Sequence, residues 1–386
     1  MRWRPDILFH ACTIGIASYG AGAHAQSAPL LHEIERQGEF LEPLPAHDGE
    51  ADNGVDIASL PFSDPAFGTG GGAIVSLNSG PETGPRPWVT DLGAVYTSSN
   101  SWAIGLSHRM SLGDDRLRLT AKAGYADARI DYYGIGADEG DGRQPVALRS
   151  KDFSATADAQ MRFFDHGLLS HVHAGPRLRY LNSRNSPRDM ASPLPQPLIG
   201  NSDSDIVSAG LAFAFQTRDD PFAPAKGVDV TGNWMFGLKG LGSDYSHRKL
   251  EILSTAYFTL DEGSVLAVRK TACAISGDAP FYDLCLFGEH GDLRGYEIGR
   301  YRDGANWALH LELRQHLSGR LGGVAFVGAG GIADSSGDIW KHSHVLSSAG
   351  FGMRYGMSDR NKANLRADLA FGQDGPAFYL GIGEAF

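Results

Sequence analysis

Hydrophobic and polar residues alternate with a period of two along most of the chain, from about residue 68 to the end. In residues 154–163 the odd positions are small or apolar and end in Met161 and Phe163, whereas Asp158 and Arg162 occupy even positions. Such a segment is typical of a β-strand with one apolar and one polar face. The same alternation recurs in three further segments: 116–125, 171–179 and 309–316.

A single strand of this kind also fits a soluble antiparallel sandwich. The number of repeats, an apolar leader and an aromatic C-terminal residue together favour an all-β fold, a transmembrane antiparallel β-barrel with a polar lumen. After Tyr125 the apolar phase changes from odd to even positions, which predicts a bulge or sharp turn and a separate strand at 126–134. With that strand the barrel has about sixteen, an even number as in other single-chain bacterial barrels.

The two ends of the chain predict export and barrel closure. Residues 1–25 resemble a secretory signal peptide with an Ala-x-Ala cleavage site, residues 26–66 are expected to form a short periplasmic lead, and residues 67–386 the barrel. The last strand must close against the first, because lipid cannot satisfy an open sheet edge. Its expected apolar face, which also carries the C-terminal signal, consists of Phe378, Leu380, Ile382 and Phe386.

The amino-acid composition and net charge argue against some classes of protein and of partner. The 50 glycines and 42% hydrophobic residues fit a strand-rich protein better than a helical membrane protein, and the net charge of −11 argues against nucleic acid as a partner. After removal of the leader only Cys273 and Cys285 remain, so the sequence allows either one disulfide or two free thiols.

Local motifs for chemistry are absent from the sequence. It has no nucleophile elbow, zinc-binding helix motif or phosphate-binding loop, so we expect no enzyme activity, no cofactor and no metal. His166, His171 and His173 are interpreted as solvated groups near a polar wall rather than as metal ligands.

Residues 288–299 contain the most informative motif, Leu293-Arg294-Gly295-Tyr296. It resembles the signature of the bacterial surface antigen family, the barrel of BamA- and TamA-like outer-membrane proteins, in which Val or Leu precedes Arg-Gly and Phe or Tyr follows. Further segments resemble the same family in the same order: Phe67–Gly72, Tyr132–Gly136, Thr217–Pro221 and Arg366–Ala370.

The resemblance implies that this long external loop folds into the lumen and that its arginine binds acidic residues of the inner wall. Alternation makes Glu312 and Asp368 the expected partners of Arg294, with Asp158 a weaker one. The chain departs from the family where relatives carry an acidic residue, because it reads Phe326-Val-Gly328 there.

The resemblance also implies a location in the bacterial outer membrane and a role in its biogenesis, by insertion or translocation of protein or lipid. Expected partners are outer-membrane lipid and lipopolysaccharide, the barrel-assembly machinery during insertion, and a periplasmic partner protein. The alternatives are a structural or adhesive surface protein and a passive or gated pore for small solutes. The pore is suggested by inward-facing cations: Arg116, Arg118, Lys122, Arg177 and Arg179.

Overall fold

The structure is a computed structural model, and it describes residues 54–79, 88–141, 144–188, 203–220, 223–288, 292–339, 341, 343–357 and 364–386. The signal peptide predicted at 1–25 lies outside these residues. The strands are β1 (Gly54–Asp64), β2 (Gly68–Ser79), β3 (Trp88–Thr97), β4 (Trp102–Leu112), β5 (Leu117–Tyr132), β6 (Val146–Arg162), β7 (Val172–Pro187), β8 (Asp203–Gln216), β9 (Gly227–Gly237), β10 (Ser246–Asp261), β11 (Ser264–Asp278), β12 (Cys285–Leu286), β13 (Arg302–Asp303), β14 (Ala305–Ser318), β15 (Leu321–Ala333), β16 (His344–Gly356), β17 (Asn364–Gly372) and β18 (Gly375–Ile382).

Sixteen of these strands form one closed antiparallel barrel, and only β12 and β13 lie outside it, as a two-stranded sheet of their own. Each barrel strand pairs with its neighbours in chain order, β11 pairs with β14 across the long loop, and β18 returns to β1. The predicted fold of about sixteen antiparallel strands is therefore confirmed.

Helices in the described residues are single turns. They are an α-helix at Ala137–Gly140 and 3-10 helices at Leu168–His171, Lys239–Leu241 and Phe281–Asp283. No helix among these is long and apolar enough to cross a membrane.

Alternating side chains give the barrel wall two different faces. On β6, Phe153 and Met161 are exposed on the outer face, while Asp158 and Gln160 are buried on the inner face. The outer face carries most of the exposed large apolar side chains, as expected for a surface in contact with lipid.

The first barrel strand begins earlier than the sequence analysis predicted. Residues 54–64, assigned there to the periplasmic lead of 26–66, form β1 and pair with β2 along its whole length, from Gly54–Asn78 to Asp64–Gly68. Pro61 hid this strand, because proline lacks the N–H that an interior strand needs. Proline is tolerated here because the other edge of β1 pairs with β18 at a single registered position, Ser63.

The strand predicted at 126–134 is not a separate element. β5 runs without interruption to Tyr132, and its register with β6 is continuous from Leu117–Met161 to Tyr132–Val146. The apolar phase changes because the surroundings change: Ile130 and Tyr132 point inward and pack in an apolar cluster with Phe281 of the long loop. The sixteenth strand is β1 instead.

Candidate functional site in the barrel interior

A disulfide fixes the start of the long loop between β11 and β14. Cys273 of β11 is bonded to Cys285 of β12, with 5.7 Å between their Cα atoms. The sequence left this pairing open. A disulfide that closes so short a ring contributes roughly 3 kcal/mol by limiting the unfolded chain. The bond therefore holds the first part of the loop against the barrel wall.

Asp283 forms the first ionic anchor of the loop, and its side chain is fully buried. Its carboxylate lies 3.0 Å from Arg179 Nη1 on β7, and 2.8 Å from His247 Nε2 and 3.7 Å from Lys249 Nζ on β10. Burial alone would raise the pKa of Asp283, but the charges of Arg179 and Lys249 and the contact with His247 hold it well below its usual range. Sequence reasoning missed this residue, since no motif marks it.

Arg294 forms the second anchor, and its side chain is 3% exposed. Its Nη1 lies 2.7 Å from Asp368 Oδ2 on β17, and its Nη2 lies 2.5 Å from Glu312 Oε2 on β14. Both carboxylates are fully buried on the inner wall, as their strand positions indicated. The guanidinium thus divides its donors between two acids, a strong charge-assisted arrangement.

Asp158, the weaker partner considered for Arg294, does not take part in this contact. It is buried on β6 and binds Arg177 of β7, with 2.9 Å between Oδ2 and Nη2. The inner wall near β6 and β7 therefore carries its own neutralised ion pair.

The strand segment in which relatives carry an acidic residue contacts the loop in another way. The ring of Phe326 lies beneath the guanidinium, with 3.5 Å between the ring centre and Arg294 Cζ. A Cβ atom at Gly328 would lie 2.4 Å from Leu293 Cδ1, so a larger residue there would force the leucine side chain to move. Phe326 thus makes a cation–π contact with Arg294, and Gly328, which stands at the acidic position, contacts Leu293.

The last two motif residues connect the loop to the final strands. Gly295 has φ 111° and donates its N–H to the Tyr379 hydroxyl on β18 at 2.9 Å. The Tyr296 hydroxyl donates to the Ser347 carbonyl at 2.6 Å and accepts from the Gln373 N–H at 3.3 Å. The motif therefore contacts β16, β18 and the turn between β17 and β18.

The C-terminal residues divide between the two faces of the wall. Phe378 is exposed on the outer face, and Leu380 and Ile382 are partly buried on the same side. Phe386, which alternation placed with them, is instead buried in a cluster with Tyr257. The prediction for Phe386 is wrong because Gly383, with φ 83°, turns the chain into the lumen and ends the strand alternation.

The seam between β1 and β18 is the weakest junction of the barrel. It contains a single registered pair, Ser63–Leu380, whereas β17 and β18 pair from Leu365–Ile382 to Gly372–Gly375. In the same antiparallel register Pro61 would lie opposite Ile382, so the preceding part of β1 extends past the end of β18.

Residues 68–386 match the Omp85 superfamily domain. The chain belongs to the Omp85 superfamily. This confirms the predicted relationship to BamA-like barrels, and it places the protein in the bacterial outer membrane. The match begins at the first residue of β2, so β1 lies just ahead of the matched Omp85 region.

Solved structures of three proteins share the Omp85 fold of this chain. BamA from Haemophilus ducreyi lacking POTRA domains 1-3 has a TM-score of 0.59 and 15% identity, covering 86% of this chain and 70% of that chain. CdiB from Escherichia coli has a TM-score of 0.61 and 11% identity, covering 85% and 62%. CdiB from Acinetobacter baumannii has a TM-score of 0.58 and 12% identity, covering 85% and 59%, so the chain spans less than two thirds of either CdiB. No curated protein matches the sequence.

Two acidic residues of the loop in this Omp85 barrel have raised pKa values. Burial raises the pKa of Asp292 to about 7, although its carboxylate accepts hydrogen bonds from backbone N–H groups. Burial also raises the pKa of Glu297 to about 7, and the Tyr133 hydroxyl donates to it at 3.0 Å. The protonation of the loop therefore changes near neutral pH.

The three histidines weighed as metal ligands in this Omp85 barrel are not brought together. His166 and His171 are exposed beside the β6–β7 turn, while His173 Nε2 lies 2.8 Å from the backbone carbonyl of Asp115. Among the described residues no group of three or more His, Cys, Asp or Glu side chains could hold a metal ion.

Proposed function

We propose that this Omp85 barrel acts in outer-membrane biogenesis, moving or inserting polypeptide or lipid through the β1–β18 seam, without enzymatic chemistry. The single registered pair at Ser63–Leu380 is the observation that carries the proposal. Each backbone hydrogen bond contributes only about 1 kcal/mol net, so a junction with so few of them opens far more readily than a full ladder.

The anchored loop supports the same function. A buried Arg294 bound to two wall carboxylates and a buried Asp283 bound to Arg179 of β7 hold the loop between β11 and β14 against the inner wall at two points. A loop held at both points limits free passage along the barrel axis. The route that remains for a client is sideways, through the seam into the membrane.

The arrangement of lumen charges argues against the open anion pore. Arg118 is bound to Asp115, Arg177 to Asp158 and Arg179 to Asp283, so these cations are neutralised. Arg116 lies exposed in the turn before β5 rather than on the wall. Partners suited to the proposal are membrane lipid, lipopolysaccharide, the assembly machinery that inserts the barrel, and a periplasmic protein that delivers clients.

Locking the seam tests the proposed function. The Ser63→Cys/Leu380→Cys pair joins β1 to β18 when oxidised, and both positions lie opposite each other. The protein in proteoliposomes should accelerate insertion of a urea-unfolded outer-membrane barrel, or transfer of labelled phospholipid between leaflets, and the lock should abolish this acceleration.

A matched control joins a junction that is already fully paired, with cysteines at Val327 and Ala349 between β15 and β16. This lock should leave the rates unchanged. Equal acceleration by the seam-locked and unlocked proteins would rule out passage through the seam.

A further inference from the structure

The tail after β18 enters the same ion network as the loop. Arg354 of β16 binds Asp368 through Nη1 at 2.5 Å and Glu384 of the tail through Nε at 2.7 Å. Asp368 is also the carboxylate that binds Arg294. One buried aspartate is therefore shared between the loop anchor and the arginine that holds the tail.

A second path joins the same residues from the other side. Glu312 receives Arg294 at Oε2 and Arg314 at Oε1, the latter 2.8 Å from Arg314 Nε. Arg314 Nε lies 3.8 Å from Glu384 Oε2, and the guanidinium also donates to the Phe386 backbone carbonyl. Three cations and three anions thus alternate in a closed ring: Arg294, Asp368, Arg354, Glu384, Arg314 and Glu312.

All six side chains of this ring are at most 11% exposed. Removing one charge from such a ring leaves its two neighbours with excess charge in a poorly solvated place. The effect therefore reaches the ring members beyond the one that is changed. This differs from an exposed ion pair, where water replaces the lost partner.

Contacts outside the ring reinforce the link between loop and tail. The Phe386 ring centre lies 5.7 Å from Arg294 Cζ and 5.4 Å from the His310 ring. Tyr379, on the strand that leads into the tail, accepts the Gly295 N–H. Glu384 also accepts a hydrogen bond from Asn364 Nδ2 at 2.8 Å, which fixes its second oxygen.

We infer that Glu384 is a positioning residue that couples the docked loop to the inward-turned end of the seam strand. It does not touch Arg294, but it holds the two arginines that share carboxylates with Arg294. Release of the loop therefore loosens the tail, and release of the tail loosens the loop. The consequence for clients rests on the proposed function, whereas the coupling itself belongs to the ring.

A double-mutant cycle in planar bilayers tests the coupling. Arg294→Ala removes the loop anchor directly, and Glu384→Gln removes only the tail carboxylate. Each variant should raise the single-channel open probability about tenfold over the wild-type protein, and the double variant should open far less than the product of the two effects, because contacting groups are not additive.

Asp158→Asn is the matched control, since it also removes a buried wall carboxylate but one bound to Arg177 outside the ring. Its effect should simply multiply with that of Arg294→Ala. If Glu384→Gln keeps the wild-type conductance, or if its effect multiplies with that of Arg294→Ala, the coupling is overturned. If Arg294→Ala itself stays closed, both the coupling and the anchored loop of the proposed function are overturned.

The effect of the loop on the tail can also be measured without conductance. Ala385 is buried beside Phe386, so a cysteine at this position reacts slowly with a maleimide while the tail is docked. Arg294→Ala should raise the labelling rate of Ala385→Cys, with the same variants lacking that cysteine as background. Heat-dependent gel migration verifies that each barrel is folded. An unchanged labelling rate in folded protein contradicts the inference.

Discussion

Two charged residues fix the loop between β11 and β14 to two different parts of the barrel wall. Asp283 reaches β7 and β10, while Arg294 reaches β14 and β17. Both are buried, so each depends on its partners for the solvation that water would otherwise supply. Neutralising either one leaves opposite charges stranded on the wall, and this makes single residues decisive for the position of the loop.

Asp283→Asn should lower the free energy of unfolding by roughly 3 kcal/mol, because Arg179 and Lys249 lose the carboxylate between them. Urea unfolding in detergent micelles, followed by tryptophan fluorescence, measures this. Asp203→Asn is the matched control, since its pair with Arg184 has side chains 63% and 66% exposed, and it should change stability by less than about 1 kcal/mol. Equal losses in the two variants would show that the Asp283 cluster is not an anchor.

Glycine is required in the motif for a geometric reason. Gly295 has φ 111°, and a Cβ atom there would lie 3.0 Å from the Gly372 nitrogen. Gly295→Ala should therefore strain the backbone by about 1–3 kcal/mol and push the loop from the β17–β18 turn. Protease cleavage within the loop of the folded barrel should become faster than in wild type, whereas Gly319→Ala, at a turn with open space around the Cβ, should leave it unchanged. The same cleavage rate in both variants would contradict a close fit at Gly295.

At the scale of elements, the long loop responds to pH because Asp292 and Glu297 are protonated more readily when it is docked. Their pKa values of about 7 lie above the usual values near 4. A raised pKa means that the docked state binds the proton more tightly, so the stabilisation is fully present below about pH 4 and is lost as the pH rises through 7. The lowered pKa of Asp283 has the opposite effect on stability. Its stabilisation is lost only as the pH falls below the usual pKa of an aspartate.

Raising the pH from 5 to 8 should therefore increase the open probability of the wild-type channel in planar bilayers. The Asp292→Asn/Glu297→Gln variant should lose most of this pH dependence, because amides do not titrate. Asp138→Asn/Glu139→Gln, in the single-turn helix at Ala137–Gly140 after β5, is the control and should keep the dependence. An identical pH profile in all three proteins would exclude Asp292 and Glu297 as its source.

Alternation in the sequence predicted most of the barrel and put Glu312 and Asp368 on the inner wall beside Arg294. It could not predict where the surroundings of a strand change along its length. On β5 the apolar side chains lie on the outer face up to Tyr125 and on the lumen face from Ala126 onward. One continuous strand therefore has two apolar phases. Pro61 concealed β1 for a related reason, since an edge with one registered pair permits a residue that an interior strand excludes.

Contacts between distant parts of the chain could not be predicted from the sequence for another reason. Asp283 meets Arg179 only because the loop reaches β7, and nothing in its neighbouring residues indicates this. Phe386 turns inward at Gly383, where a single left-handed residue overrides the strand pattern. Both cases depend on where a loop or tail goes after it leaves the regular sheet.

At the scale of the whole molecule, the barrel combines a well-paired wall with one short junction. Most neighbouring strands share long ladders, but β18 ends at Ile382 and β1 continues past it. The loop and the tail are both held inside by the same buried charges. The barrel is therefore closed, and its closure depends on a few contacts near the seam.

Hydrogen exchange of the protein in lipid nanodiscs, resolved by individual amides, tests the weak seam most directly. Backbone amides with few stable partners open locally at low free energy, whereas those of a complete ladder approach the global stability. The amides of β1 and β18 that face the seam should exchange on the order of a hundredfold faster than those between β15 and β16, which are paired from Leu321–Tyr355 to Ile332–His344. Equal protection of the seam-facing amides and of the amides between β15 and β16 would contradict a labile seam.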